Sequence, residues 1–294
     1  MKDQAEQLRK QLLQLQQQSK ELEPRKTKVI TVCSGKGGVG KSNFSLNFAL
    51  ALLRQQKKVL IFDVDLGLAN IDVLLGIPPR RNMLHMIEQD LPITDIIEEG
   101  PEGLKFIAGG SGFNHLIHLE QQKIDRLFEE LSHLHGQVDY IILDTGAGLS
   151  NESLRFILAA DDVIVVTTPE PTAITDAYAV LKMVYTQQQK PNIRLVINRC
   201  SSHKEGRETG QKLKLVTRRF LNQEIGVLGY IPDDPNVMKA VKKQKPFLIQ
   251  FPSTDASVAL SNLARAYLDL PIENQGGIKS FLTKFLKSRS KIGG

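Results

Sequence analysis

The chain has few cysteines. Cys33 and Cys200 are its only two, and they lie far apart and outside any Cys-x-x-Cys pair. This spacing argues against a disulfide scaffold and against a zinc site, and it fits a reducing cytosol. We expect both to be small buried residues, which is the usual environment of a free cysteine.

Long apolar runs are also missing. No stretch of 18 apolar residues occurs, so the sequence predicts no membrane-spanning helix. The N-terminus is polar and rich in glutamine, and it lacks the apolar centre of a signal peptide. The sequence therefore predicts a cytoplasmic protein. Its net charge of +6 permits contact with anionic lipid or nucleic acid but does not choose between them.

Apolar runs of strand length alternate with helical patterns across most of the 294 residues. The strand-like runs are Val29–Ser34, Val59–Val64, Leu104–Ala108, Val138–Asp144, Val163–Thr168, Ile193–Asn198 and Val227–Ile231. In most of these runs the apolar residues are continuous and do not alternate with polar ones. This pattern is expected when helices cover both faces of a sheet. The sequence therefore predicts one α/β domain over residues 27–272, with a mostly parallel, doubly wound sheet. Its ligands are expected at the carboxyl ends of the strands.

Residues Gly35 to Ser42 read GKGGVGKS, which satisfies the P-loop pattern between a strand and a helix. The glycines let backbone N–H groups turn towards an anion, and the following helix adds its positive end. Lys41 is expected to reach the β- and γ-phosphates, while the Ser42 hydroxyl is expected to hold Mg²⁺. A second lysine, Lys36, either helps the same phosphates or points across a dimer interface at the nucleotide of a second subunit.

This run resembles the deviant Walker A motif of the MinD/ParA family of ATPases. The resemblance covers residues 28 to about 270. It implies an ATP-bound homodimer in which Lys36 contacts the phosphates of the partner subunit. Lys36, Lys41 and Asp65 are then the expected catalytic residues.

Three aspartates follow strand-like runs, where magnesium and water chemistry needs acids. The segment Asp63-Val64-Asp65 resembles the family's first switch, with Asp63 in the magnesium shell and Asp65 orienting the attacking water. Positioning and charge neutralisation are what phosphoryl transfer mainly requires. Asp144 ends another apolar run in the Walker B arrangement and is expected to hold a magnesium-bound water. Gly146 would let the backbone approach the γ-phosphate.

The base site is predicted from two further segments. Asn198-Arg199-Cys200 replaces the Asn-Lys-x-Asp segment of GTPases and resembles the family's adenine site, which Pro232-Asp233 completes. ATP and ADP, with Mg²⁺, are therefore the expected ligands. The predicted nucleotide-binding residues are Gly35, Lys36, Gly37, Gly38, Val39, Gly40, Lys41, Ser42, Asn43, Gly146, Asn198, Arg199, Pro232 and Asp233, with Ser42, Asp63 and Asp144 at the metal.

Residues 273–294 form a glycine-containing hinge and a short amphipathic pattern. One side of the predicted helix carries Ile278, Phe281, Leu282, Phe285 and Leu286, and the other side carries lysines. This pattern is typical of a helix in an anionic membrane interface, although a helix packed on its own domain fits as well. By resemblance to the MinD branch we expect peripheral binding to the inner face of the cell membrane in the ATP state.

Residues 1–26 form a polar segment that is either a loose tail or a docking segment that folds on a partner. Its start, Asp3 to Arg9, resembles the DQAEQLR activator segment of the family's flagellar-number ATPases. The resemblance implies that Gln4 and Arg9 stimulate the GTPase FlhF. It also implies a partner of the FliM/FliY type in the flagellar switch complex.

One alternative is a ParA-like ATPase that partitions DNA or a protein cargo. Two basic stretches would then bind the duplex, residues 207–219 and 239–245, although charged helices of this kind are usually just solvated. Aromatic residues are sparse there, so no specific nucleic acid is expected. An iron–sulfur carrier would need paired cysteines and a P-loop tyrosine kinase a tyrosine-rich tail, and the sequence has neither.

Overall fold

The computed structural model describes residues 26–65, 70–109, 126, 129–148, 150–187 and 191–272. The proposed GTPase-activating residues Gln4 and Arg9 lie outside these ranges. So do the proposed membrane-binding residues Ile278, Phe281, Leu282, Phe285 and Leu286. No helix in the described part of the chain is both long and apolar enough to cross a bilayer.

The described residues form an eight-stranded sheet with the order β3-β4-β2-β5-β1-β6-β7-β8. The strands are β1 (Lys28–Ser34), β2 (Val59–Asp63), β3 (Glu98–Glu99), β4 (Lys105–Ile107), β5 (Tyr140–Ala147), β6 (Asp162–Thr167), β7 (Asn192–Cys200) and β8 (Gly226–Pro232). Neighbouring strands are parallel except β3 and β4. The predicted fold class and all seven predicted strands are confirmed. The two-residue strand β3 was not predicted.

Helices separate the strands along the chain. They are α1 (Lys41–Arg54), α2 (Ile71–Leu75), α3 (Met83–Glu88), α4 (Asn151–Ala159), α5 (Pro171–Tyr185), α6 (His203–Leu221), α7 (Pro235–Lys242), α8 (Phe247–Gln250) and α9 (Asp255–Tyr267). Residues 129–132 are also helical, and 3-10 helices occur at Ile93–Ile96 and Pro101–Gly103.

The continuous apolar strands are buried because helices pack on both sheet faces. On one face Val32 and Val166 join a core with α1, α8 and α9. On the other face Val163 and Val165 join a core with α4, α5 and α6. Neighbouring positions of one strand thus point into different cores, so the strands have no polar face. Their parallel arrangement places the carboxyl ends of β1, β2, β5, β7 and β8 at one edge.

At the opposite end of the sheet, where the parallel strands begin, a buried carboxylate at the start of β6 links several elements. Asp162 accepts hydrogen bonds from the Tyr267 hydroxyl at 2.6 Å and from the Asn192 amide at 2.6 Å, and it pairs with the Lys28 ammonium at 2.5 Å. Burial alone would raise the pKa of Asp162, but these hydrogen bonds hold it below its usual value. The first strand and the last described helix are thereby joined to β6.

Candidate nucleotide site

The P-loop connects β1 to α1 at the carboxyl edge of the sheet. Two of its glycines adopt the left-handed conformation, Gly38 with φ 80° and Gly40 with φ 91°. Gly40 precedes α1, and no side chain caps this helix end. The first N–H groups of α1 and the loop therefore form the kind of concave backbone surface that binds phosphate.

The loop is held by close contacts with its neighbours. A Cβ added to Gly35 would lie 2.3 Å from the backbone of Asp176 in α5. A Cβ added to Gly40 would lie 2.4 Å from Asn198 Nδ2 on β7. Gly35 is therefore required by its packing against backbone, whereas Gly40 is required by its left-handed conformation and also lies against the Asn198 side chain.

Asn198 contacts the P-loop directly. Its Nδ2 donates a hydrogen bond to the Val39 carbonyl at 2.8 Å. That bond fixes the orientation of the amide and leaves the side-chain oxygen as an acceptor. An acceptor suits the exocyclic amino group of adenine and disfavours the carbonyl of guanine.

Next to Asn198 lies a cavity of about 380 Å³. Its lining brings together seven of the residues predicted for the nucleotide: Gly38, Gly40, Asn43, Asn198, Arg199, Pro232 and Asp233. Arg199 also pairs with Asp233 at 3.5 Å, although both side chains are more than half exposed. Residues of α7, including Met238, form one wall of this cavity, and the sequence did not predict this wall. The sequence assigns a role only to residues 239–245 of this region, as a basic stretch, and Met238 precedes them.

Lys41 and Asp144 form a buried ion pair below the P-loop. Lys41 Nζ lies 3.0 Å from Asp144 Oδ1, and the two side chains are 7% and 0% exposed. The same Oδ1 accepts a hydrogen bond of 2.6 Å from Ser45 Oγ in α1. Asp144 Oδ2 is buried and has no hydrogen-bond partner among the described residues. Ser45 was not predicted from the sequence.

Asp63 lies on the strand next to Asp144, and the two residues are paired in the ladder of β2 and β5. Its Oδ1 accepts from the backbone of Asp65 at 3.0 Å, and its Oδ2 accepts from the backbones of Asn70 at 2.7 Å and Ile71 at 3.1 Å. Asp63 therefore holds both ends of the segment between β2 and α2. Burial raises the pKa of Asp63 to about 7, and the charge of Asp144 adds to this effect. The three backbone hydrogen bonds act in the opposite direction and lower the pKa.

Asp65 lies two residues after the end of β2 and approaches the end of β5. A Cβ added to Gly146 would lie only 3.2 Å from Asp65 Oδ1. The two predicted switch segments, one after β2 and one at the end of β5, therefore meet. Gly146 leaves the space in which Asp65 lies.

The donor set fits magnesium. Mg²⁺ usually binds through one or two carboxylates, substrate phosphates and water rather than through an all-protein cage. Asp144 offers a buried oxygen that lacks a partner among the described residues. The Ser42 hydroxyl lies 3.4 Å from the ammonium of Lys41. Ser42 and Asp144, with Asp63 beside them, are therefore the residues that would hold the ion.

Lys36 lies at the exposed side of the loop. Its Nζ contacts Glu170 Oε2 at 3.2 Å and Thr172 Oγ1 at 3.0 Å, at the start of α5. Its side chain is 40% exposed, and that of Glu170 is 54% exposed. In this conformation the ammonium binds its own subunit.

Both cysteines are buried and free, as the sequence predicts. Burial raises the pKa of Cys33 to about 12 and that of Cys200 to about 11. Neither therefore presents a thiolate near neutral pH, and thiolate is the form of cysteine that binds metals.

Comparisons with known proteins identify the family of this chain. A family model described as "ParA: NUBPL iron-transfer P-loop NTPase" matches residues 25–268. The antiactivator FleN of Pseudomonas aeruginosa is 37% identical over 88% of this chain and 93% of that protein. The flagellum site-determining protein YlxH of Helicobacter pylori is 36% identical over 89% of this chain and 90% of that protein. The chain belongs to the MinD/ParA family of P-loop ATPases.

A solved structure of this family supports the fold. The septum site-determining protein MinD of Pyrococcus horikoshii, complexed with Mg-ADP, is 27% identical. It matches with a TM-score of 0.68 over 82% of this chain and 96% of that one. As a family member, the chain is an ATPase with a nucleotide-binding P-loop.

The contact between Gly40 and Asn198 generates a prediction. We expect Gly40→Ala to lower the affinity for ADP by about tenfold or more, because it combines a strained left-handed residue with a collision. Isothermal titration calorimetry with ADP measures the change. Gly38→Ala is the matched control, since Gly38 has a similar φ but no atom within 4 Å of an added Cβ. Equal losses in the two variants would contradict the importance of the Asn198 contact.

Proposed function

We propose that this chain is an ATP-dependent dimerising switch that controls the number or placement of flagella. The observation that carries the dimerising mechanism is Lys36, a second P-loop lysine at the exposed side of the site. The flagellar role is supported by the similarity to FleN and YlxH over nearly the whole of both proteins.

In the proposed mechanism the residues of one subunit position ATP and water. Lys41 turns from Asp144 to the β- and γ-phosphates, and the N–H groups of the loop cradle them. Asp65 orients the attacking water. Its proximity to Gly146 supports this role, because the backbone of Gly146 is expected near the γ-phosphate. Mg²⁺, held through Ser42 and Asp144 with Asp63 in its shell, would neutralise charge on the phosphates.

Base selection follows from the orientation of Asn198. Its amide oxygen accepts from the amino group of adenine, while Pro232 and residues of α7 enclose the ring. Arg199 and Asp233 close the outer side of the cavity. ATP and ADP are therefore the proposed ligands.

Dimerisation requires Lys36 to exchange partners. In the described conformation its ammonium contacts Glu170 and Thr172 of its own subunit. An exposed ion pair of this kind contributes at most about 1 kcal/mol, so phosphates of a second subunit can displace it. ATP then acts as the link between two copies, and hydrolysis separates them.

We predict that Lys36→Ala abolishes ATP-induced dimerisation and leaves ADP binding by the single subunit within about threefold of the parent. Size-exclusion chromatography with light scattering, with a non-hydrolysable ATP analogue, measures the dimer. Lys58→Ala is the control, because Lys58 is an exposed lysine at the amino end of β2. Normal dimerisation and ATP hydrolysis by the Lys36→Ala protein would show that this mechanism is wrong.

We further propose that residues 273–294 bind the inner face of the cell membrane in the ATP state, through the apolar side of the segment. The protein is then cytoplasmic with ADP and peripheral with ATP.

Co-sedimentation with anionic liposomes tests the membrane proposal. We expect binding with the ATP analogue, none with ADP, and loss on truncation to residues 1–274. Phe285→Asp should also abolish binding, whereas Ser280→Asp, which adds the same charge on the polar side, should retain most of it. No binding under any condition, together with salt-dependent retention on DNA, would favour the ParA-like alternative.

Residues 1–26 are proposed to stimulate the GTPase FlhF, and a FliM/FliY-type switch protein is a proposed second partner. We predict that the full chain accelerates GTP hydrolysis by FlhF, and that Gln4→Ala and Arg9→Ala reduce this effect at least tenfold. An arginine supplied in trans can neutralise transition-state charge, and its removal is costly. Lys10→Ala is the charge-matched control. Equal stimulation by all variants would remove the proposed role of Gln4 and Arg9.

A further inference from the structure

Ser45 is a buried polar residue that the mechanism above does not use. It lies in α1, one helical turn after Lys41, and its side chain is fully buried. Its hydroxyl is 2.6 Å from Asp144 Oδ1 and 3.1 Å from the carbonyl of Lys41. A buried hydroxyl in a helix often bonds only to the carbonyl four residues earlier. Here a carboxylate offers a stronger acceptor.

The hydroxyl has one proton, so it can donate to only one of these acceptors at a time. The carboxylate is closer and charged, and hydrogen bonds to ionised acceptors are shorter and roughly twice as strong as neutral ones. The distance of 2.6 Å lies in the range of a bond between a hydroxyl and a carboxylate. Ser45 therefore donates its hydrogen bond to Asp144 Oδ1.

The two oxygens of Asp144 have different surroundings. Oδ1 accepts a hydrogen bond from Ser45 Oγ and forms the ion pair with Lys41 Nζ. Oδ2 is buried and has no hydrogen-bond partner among the residues that the structure describes. The contacts on Oδ1 fix the rotation of the carboxylate about its Cβ–Cγ bond, and this fixes the direction in which Oδ2 points.

Lys41 cannot hold this orientation throughout the cycle. When its ammonium moves to the phosphates of the nucleotide, it leaves Oδ1. Ser45 then remains as the hydrogen-bond donor to Oδ1, because it is fixed on the helix behind the P-loop. This is the state in which Asp144 must hold the magnesium shell.

We propose that Ser45 is a positioning residue for magnesium, which holds Asp144 Oδ1 so that Oδ2 faces the ion when nucleotide is bound. This rests on the magnesium–nucleotide site of the proposed function. Partners that orient a metal ligand typically change metal affinity by 10- to 100-fold when they are removed. Ser45 belongs to this class of residue.

The test measures the affinity of a fluorescent ADP analogue as MgCl₂ is varied, on the full chain. In Ser45→Ala we expect the half-saturating Mg²⁺ concentration to rise about tenfold. Binding of the analogue in EDTA should change less than about twofold, since the phosphate cradle is intact. If the alanine variant does not fold, Ser45→Cys replaces it, because a thiol nearly keeps the volume but donates only weakly.

Two controls separate positioning from general loss of structure. Thr31→Val removes another fully buried hydroxyl, which donates to the Phe156 carbonyl at 3.1 Å, and should leave the Mg²⁺ dependence unchanged. In an Asp144→Asn background, Ser45→Ala should have no further effect on Mg²⁺ dependence, as expected if Ser45 acts through that carboxylate.

The outcomes are distinct. An unchanged Mg²⁺ dependence in Ser45→Ala, beside a clear dependence in the parent protein, would overturn the inference and leave the nucleotide site standing. Absence of any Mg²⁺ dependence in the parent protein would instead overturn the magnesium site itself. An additive effect of Ser45→Ala on Asp144→Asn would show that Ser45 acts elsewhere.

Discussion

The buried ion pair between Lys41 and Asp144 is the interaction on which the site depends. One partner begins α1 and the other lies on β5, so the pair joins the phosphate loop to the centre of the sheet. Losing one member of a buried pair leaves an uncompensated charge and costs about 3–5 kcal/mol. The two charges are therefore paired in the described structure. In the proposed function, the phosphates of the nucleotide replace Asp144 as the partner of Lys41.

The parallel sheet makes this arrangement possible. The central strands β2, β5 and β1 end at the same edge, so Asp63 and Asp144 lie side by side and the P-loop follows at the next position. Burial, and then repulsion by the neighbouring carboxylate of Asp144, raises the pKa of Asp63. Lys41 supplies one compensating charge, and the proposed magnesium ion would supply another.

Much of this could be predicted from the sequence, because long apolar strands and a glycine-rich loop have strong local patterns. Strand β3 could not be predicted, because two glutamates show no hydrophobic periodicity. They form a strand only because the fold brings β4 next to them. Ser45 and the α7 wall of the base cavity were also missed. Their roles come from contacts between distant segments, and a serine inside an apolar helix reads as an ordinary core position. The contact of Lys36 with Glu170 could not be predicted either, because the two residues are 134 positions apart in the sequence.

The carboxylate of Asp162, at the edge of the sheet opposite the nucleotide, has a consequence for the two ends of the chain. It bonds to Lys28, at the start of the first strand, and to Tyr267, at the end of the last described helix. The first strand and the last described helix, from which the two terminal segments continue, therefore share one carboxylate as a partner. In the proposed function, the partners of the two terminal segments would therefore be held from the end of the sheet opposite the nucleotide.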